Sequence, residues 1–169
     1  MPLNRETILK TFESVNEELS QKGITAECVL IGGSAGIFLS DVVRPTMDID
    51  VFLRTRDNYT DILEIFEDYF IEDVTVASVP DPEEMTISNT YTWSNMIVRI
   101  PDFYSLAITK PFTNRAKDEE DLINYILPGI DDFDKLDELI RENKIDYVGN
   151  LNDPFLNVNQ LEEYKKQMK

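Results

Sequence analysis

The stretch Cys28-Val-Leu-Ile-Gly-Gly-Ser-Ala-Gly36 places a short apolar run directly before a glycine-rich turn. A run of this length that ends at glycine is typical of a buried strand, and the apolar residues after Gly36 indicate a helix. A glycine pair lets the backbone approach a ligand, and the following helix N-terminus offers amides to phosphate. The stretch predicts a strand, a turn and a helix, with Gly32, Gly33 and Ser34 as candidate phosphate-binding residues. On this stretch alone, an ordinary strand-to-helix turn or a dinucleotide-binding turn remains open.

Apolar residues occupy every second position of a later stretch, Met47-Asp-Ile-Asp-Val-Phe-Leu53. This period of two predicts a strand on which Asp48 and Asp50 share one face. Neighbouring carboxylates repel each other, so we expect either a shared cation or an arginine partner, with Arg44 and Arg99 as the candidate arginines. A solvated strand face is the remaining alternative.

Charge and composition narrow the classes of function. The chain has 169 residues, with 33 acidic and 16 basic side chains, which gives a formal charge of 16 − 33 = −17. Binding a long nucleic acid regardless of sequence needs a positive surface, and so does polybasic membrane anchoring, so this acidic protein is a poor candidate for either. The absence of histidine excludes histidine-activated nucleophiles and histidine-ligated zinc. Carboxylates without histidine favour hard cations such as Mg²⁺.

The remaining patterns predict a soluble protein of ordinary domain size. Cys28 is the single cysteine, so an intrachain disulfide is excluded, and its apolar neighbours predict a buried side chain. No signal region or membrane-spanning run is evident, so we expect a cytoplasmic protein. Periodicity predicts helices at 4–22, 58–70, 102–110, 117–127, 131–142 and from 159, and strands at 73–79 and 95–100. Residues 80–89 show no clear pattern.

The two motifs together resemble the nucleotidyltransferase superfamily that shares the catalytic core of DNA polymerase β. Its signature is a glycine pair element followed by Asp-hydrophobic-Asp-hydrophobic. Here Gly33-Ser34 and Asp48-Ile-Asp-Val51 match these two elements, and thirteen residues separate them. The resemblance extends over roughly residues 24–127 of the chain.

Two further stretches are similar to more specific features of that superfamily. Arg44-Pro-Thr-Met-Asp-Ile-Asp50 resembles a bacterial branch, the nucleotidyltransferase-like proteins of toxin–antitoxin and abortive-infection loci. Lys110, Arg115-Ala-Lys-Asp118 and Asp121 resemble a later element of the family.

The resemblance implies an α/β fold, a short mixed sheet flanked by helices with a helical C-terminal extension. We expect a nucleotidyltransferase-like domain at 1–127 and, packed on it, the helical extension at 128–169. The implied reaction is Mg²⁺-dependent transfer of a nucleoside monophosphate from a nucleoside triphosphate to an acceptor. Asp48 and Asp50 would bind the metal and act in catalysis with Lys110. The implied nucleotide-binding residues are Gly32, Gly33, Ser34, Arg44, Thr46, Arg115 and Asp118.

A third carboxylate, which superfamily enzymes usually carry on a neighbouring strand, has no evident place in the sequence. The predicted strand at 95–100 contains no acidic residue, and Glu83 and Glu84 lie in the segment without a pattern. This gap keeps a second hypothesis open, in which a weakly active or inactive protein of the same fold binds a partner protein through its acidic helices, as a toxin–antitoxin component would.

Overall fold

The computed structural model describes residues 3–39, 48–74, 82–147 and 149–167. Strands lie among the helices up to residue 101, and only helices and turns follow in the described residues after it. In chain order the strands and α-helices are α1 (Arg5–Lys22), β1 (Ala26–Ile31), α2 (Gly32–Leu39), β2 (Ile49–Leu53), α3 (Tyr59–Asp68), β3 (Ile71–Asp73), β4 (Ile87–Thr92), β5 (Met96–Pro101), α4 (Phe103–Ala107), α5 (Ala116–Asp121), α6 (Phe133–Lys144) and α7 (Leu161–Gln167). Short 3-10 turns lie at Pro82–Glu84, Leu127–Gly129 and Asn157–Gln160, and a π-helical turn lies at Leu122–Ile126.

The chain divides into two compact units. The first unit comprises Met1–Val76 and Met85–Phe103, and the second comprises Ala77–Glu84 and Tyr104–Lys169. Residues 128–169 therefore share a unit with residues 104–127. The predicted domain boundary between residues 127 and 128 stays a prediction.

The first unit is built on a mixed sheet. Within the described residues the sheet has five strands in the order β3-β2-β1-β5-β4. β1 runs antiparallel to β2 and parallel to β5, β3 runs parallel to β2, and β4 runs antiparallel to β5. Together with its helices, this sheet confirms the predicted α/β class and the helical C-terminal part of the chain.

Helix α1 forms as its sequence predicts. Its apolar stripe at spacings of three and four is fully buried, as expected for a helix with one face on the core. Asn4 caps the N-terminus by accepting a hydrogen bond from the Thr7 amide at 2.8 Å. Gly23 ends the helix in a left-handed conformation, with φ of 69°. Cys28 is buried on β1, as predicted, and burial raises the pKa of its thiol.

Three predicted elements differ from the structure. The strand expected at 73–79 is instead β3 (Ile71–Asp73), and residues 75–79 lie outside the described residues. The helix expected at 102–110 stops at Ala107 and continues as turns, and the helix expected at 117–127 changes to a π-helical turn at Leu122. β4 occupies part of the segment that showed no pattern, because its side chains are largely polar and mostly exposed on both faces.

None of the described helices is both long enough and apolar enough to cross a membrane.

Candidate functional site

The glycine turn and the acidic strand meet at one end of the β1–β2 pair. Ile31, the last residue of β1, lies opposite Asp50 of β2 in the antiparallel register. Gly32 follows with φ of 64°, a left-handed conformation that favours glycine. A methyl group at Gly32 would lie only 3.2 Å from Asp50 Oδ2. The absence of a side chain at Gly32 therefore lets the Asp50 carboxylate lie directly against the turn.

Ser34 connects the turn to the acidic strand. Its side chain is buried, and its hydroxyl donates a hydrogen bond to the Ile31 carbonyl at 3.0 Å. The Asp50 amide donates to the same hydroxyl oxygen at 3.4 Å. A hydroxyl has one hydrogen, so in this arrangement Ser34 has none left to donate to a phosphate. The structure places Ser34 as a residue that fixes the turn against Asp50, and its predicted contact with phosphate stays a prediction.

Backbone amides near Gly33 are the remaining groups of the turn that could face a phosphate. Gly33 is exposed in the first turn of α2, which carries no acidic side chain there. The first amides of a helix have no partner within the helix, and the helix dipole favours an anion beside them. These features fit the predicted role of Gly32 and Gly33.

The alternation of β2 follows the predicted period of two, but the strand begins at Ile49, so Asp48 lies before it and its sharing of a face with Asp50 stays a prediction. Ile49, Val51 and Leu53 are buried, whereas Asp50 is half-buried and Asp48, just before the strand, is exposed. Two carboxylates at this spacing are a donor set that suits Mg²⁺, because Mg²⁺ takes one or two protein carboxylates and fills its other positions with phosphate oxygens and water.

Glu72 is a carboxylate next to the candidate site that the sequence did not reveal. It lies on β3 directly opposite Asp50 in the parallel register, so the two residues share a face of the sheet. Nevertheless, no group of three or more acidic or cysteine side chains is close enough to hold a metal ion in the part of the chain that the structure describes. The described donors are thus the aspartate pair, with Glu72 on the neighbouring strand.

Arg99 is not the partner of the aspartates, so that alternative is wrong. Its Nε donates to Glu27 Oε1 at 2.6 Å, and Glu27 is its only ion-pair partner among the described residues. Arg44, the other candidate, and Thr46 both lie outside the described residues, and their predicted roles stay predictions.

The lysine and acidic residues of the later motif form a cluster within the second unit. Lys110 Nζ lies 3.0 Å from Asp118 Oδ1 and 3.6 Å from Asp121 Oδ2. The Thr113 hydroxyl donates to Asp118 Oδ2 at 2.6 Å, and Arg115 Nε lies 3.9 Å from that oxygen. Asp118 is buried, whereas Arg115 is exposed. The predicted nucleotide contacts of Lys110, Arg115 and Asp118 stay predictions.

A buried asparagine holds this cluster in place. The Asn157 side-chain amide donates to the carbonyls of Lys110 and Arg115 at 3.4 and 3.5 Å and to the Thr113 hydroxyl at 3.3 Å. Its Oδ1 accepts from the Tyr164 hydroxyl at 2.9 Å, and burial raises the pKa of that tyrosine. Neither residue was predicted, because a single asparagine in a loop-like stretch carries no periodic signal.

Comparison with known proteins assigns the class. Residues 6–169 match a family model of nucleotidyltransferases, which places the chain in the superfamily that its glycine turn and acidic strand resemble. The chain belongs to the family described as "Nucleotidyltransferase of unknown function (DUF6036)". No curated protein and no solved structure matches the chain. Membership in this family implies nucleotidyl transfer from a nucleoside triphosphate as the general chemistry.

Proposed function

We propose that this protein is an active, Mg²⁺-dependent nucleotidyltransferase that binds a nucleoside triphosphate at the junction of β1, α2 and β2. The observation that carries the proposal is the contact of Asp50 with Gly32. A carboxylate seated against a left-handed glycine, beside the first amides of a helix, brings a cation ligand and an anion site together. A metal-bound triphosphate needs both.

Each chain residue at the junction has a distinct part in this proposal. The amides near Gly33 would face the outer phosphates, because the N-terminus of α2 favours anions. Ser34 would fix the turn relative to Asp50 through its two hydrogen bonds. Asp48 and Asp50 would hold the metal, which when bound neutralises charge on the phosphates and assists attack at the α-phosphorus.

Calorimetric titration with nucleoside triphosphate tests the binding step. We expect Mg²⁺-dependent binding by the parent protein and its loss in an Asp48→Ala/Asp50→Ala variant. The matched control is Asp57→Ala/Asp68→Ala, which removes two exposed carboxylates from the same unit and should bind like the parent. Absence of binding by the parent, or equal binding by the two double variants, would overturn the proposal.

Label transfer tests the chemical step. Incubation with nucleoside triphosphates labelled at the α-phosphate and with candidate acceptors should give Asp-dependent incorporation. A Glu72→Gln variant tests whether the site uses a third carboxylate or the aspartate pair alone. If Glu72 supplies a third carboxylate, transfer falls while nucleotide binding is largely kept. If the aspartate pair is sufficient, both properties are kept.

A second function is favoured by one observation, namely that the described residues group no third carboxylate with the aspartates. In this alternative the protein keeps nucleotide binding, lacks efficient transfer and acts by binding a partner, as one component of a toxin–antitoxin pair. Nucleotide binding without Asp-dependent label transfer to any acceptor tested would favour it over the first proposal.

A further inference from the structure

Arg99 lies on the same sheet face as Asp50. Val29 of β1 pairs with Arg99 of β5 on one side and with Phe52 of β2 on the other. Two residues further along β1, Ile31 pairs with Asp50 of β2. Residues paired across neighbouring strands share a face, and so do residues two apart on one strand. Arg99 and Asp50 thus project from one side of the first unit.

The Arg99 guanidinium is held by only one of its edges. Its Nε donates to Glu27 Oε1 at 2.6 Å, and Arg54 Nη1 lies 3.3 Å from the same oxygen. The terminal N–H groups of Arg99 have no hydrogen-bond or ion-pair partner among the described residues. The side chain is 32% exposed. A guanidinium anchored at Nε presents its two terminal nitrogens as a fixed fork, the geometry that binds phosphate in a bidentate manner.

An exposed hydroxyl lies on the strand next to Arg99. Thr90 of β4 is the register partner of Arg99, so its side chain shares the same face, and it is exposed. Arg54 shares the carboxylate of Glu27 with Arg99. In a chain of net charge −17, the terminal nitrogens of Arg99 form a local site for an anion on this sheet face.

The position of the fork along β1 identifies whose anion this is. The proposed triphosphate site lies at Gly32 and Gly33, just after Ile31, whereas Glu27, which anchors the fork, lies four residues before Ile31 on the same strand. Four residues of strand span roughly 13 Å. The fork and the triphosphate site thus lie towards opposite ends of β1, so the anion is assigned to the second substrate.

We propose that Arg99, anchored by Glu27, binds a phosphate group of the acceptor. The acceptor part of this assignment rests on the proposed nucleotidyltransferase function, whereas phosphate binding at Arg99 does not. The acceptor is accordingly a phosphate-bearing molecule.

A titration with inorganic phosphate, followed by the ¹⁵N-edited NMR signal of the Arg99 Nε–H group, tests the site in the full chain. We expect a saturable shift in the parent and a loss of phosphate affinity of about tenfold or more in Arg99→Gln. Arg99→Lys keeps the charge without the fork and should also weaken binding. The matched control, Arg141→Gln, removes an exposed arginine of the second unit and should bind like the parent.

Two further binding measurements distinguish phosphate binding at Arg99 from binding at the nucleotide site. Phosphate should still bind the Asp48→Ala/Asp50→Ala variant, and it should still bind the parent saturated with Mg²⁺ and a non-hydrolysable nucleoside triphosphate. No saturable shift at Arg99, or equal affinity in Arg99→Gln, would overturn the site. Displacement of phosphate by the nucleotide would assign Arg99 to the triphosphate and overturn the acceptor assignment. Failure of the parent to bind nucleotide, with phosphate binding intact, would count against the nucleotidyltransferase proposal alone.

Discussion

Replacing Gly32 by alanine tests the contact on which the proposed site depends. Gly32 has φ of 64°, and its added methyl group would lie 3.2 Å from Asp50 Oδ2. Gly23, at the end of α1, has nearly the same conformation with φ of 69°, yet a methyl group there would meet no atom within 4 Å. The pair Gly32→Ala and Gly23→Ala therefore separates backbone strain from the contact with Asp50.

The expected magnitudes follow from these two costs. A left-handed conformation costs a non-glycine residue about 1–2 kcal/mol, and both variants bear this cost. In Gly32→Ala the Asp50 carboxylate must also shift by a few tenths of an ångström, a small rotation that costs about 0.5 kcal/mol. We expect Gly23→Ala to lower the free energy of unfolding by about 1–2 kcal/mol and Gly32→Ala by about 1.5–2.5 kcal/mol.

Urea unfolding followed by circular dichroism measures the stabilities, and calorimetry measures Mg²⁺-dependent nucleotide binding. Gly32→Ala should weaken nucleotide binding at least tenfold in addition to its effect on stability, whereas Gly23→Ala should leave binding unchanged. Equal stability losses and unchanged binding in both variants would show that Asp50 does not depend on the space at Gly32.

Three other predictions concern positions outside that contact. Gly36→Ala should raise the free energy of unfolding by about 0.5–1 kcal/mol in the same urea assay, since Gly36 lies inside α2 and a methyl group there meets no atom within 4 Å. Asn157→Ala should lower it by about 2–3 kcal/mol, because buried groups, including the Tyr164 hydroxyl, lose their partner. Hydrogen bonds that two tyrosines donate to carboxylates raise their pKa values. The bond to Asp73 raises the pKa of Tyr59, and the bond to Glu18 raises the pKa of Tyr69 to about 12. The folded state therefore holds these two protons more tightly than the unfolded state. Their contribution to stability is retained below about pH 10 and falls as pH rises towards 12. An absorbance titration of tyrosinate, paired with urea unfolding at each pH, checks this prediction.

Local signals predicted the elements around the site well, because they depend on neighbours along the chain. The cap at Asn4, the stop at Gly23 and the alternation of β2 each follow from a few adjacent residues. The strand before the glycine stretch and the helix that contains it were equally readable, although the helix already begins at Gly32 rather than after Gly36.

Pairing between distant elements could not be predicted in the same way. Glu72 stands opposite Asp50 only because β3 pairs parallel to β2, and a short strand such as Ile71–Asp73 carries little alternation of its own. β4 was missed for a related reason, as a mostly exposed edge strand has no apolar face to show in its sequence. The anchoring of Arg99 by Glu27 likewise depends on the register of β1 and β5.

The two hydrogen bonds of Ser34 indicate a structural role for the serine of the glycine motif. The sequence predicts that Ser34 donates to phosphate, but its hydroxyl hydrogen is donated to the Ile31 carbonyl and its oxygen accepts from the Asp50 amide. The serine therefore joins the end of β1 to β2, and the groups of the turn that we propose to face phosphate are backbone amides. A site of this kind has its anion-binding and cation-binding parts fixed to the same strand pair. Its geometry then depends on sheet register more than on side-chain conformation, so substitutions that disturb Gly32 or Ser34 should affect metal and phosphate binding together.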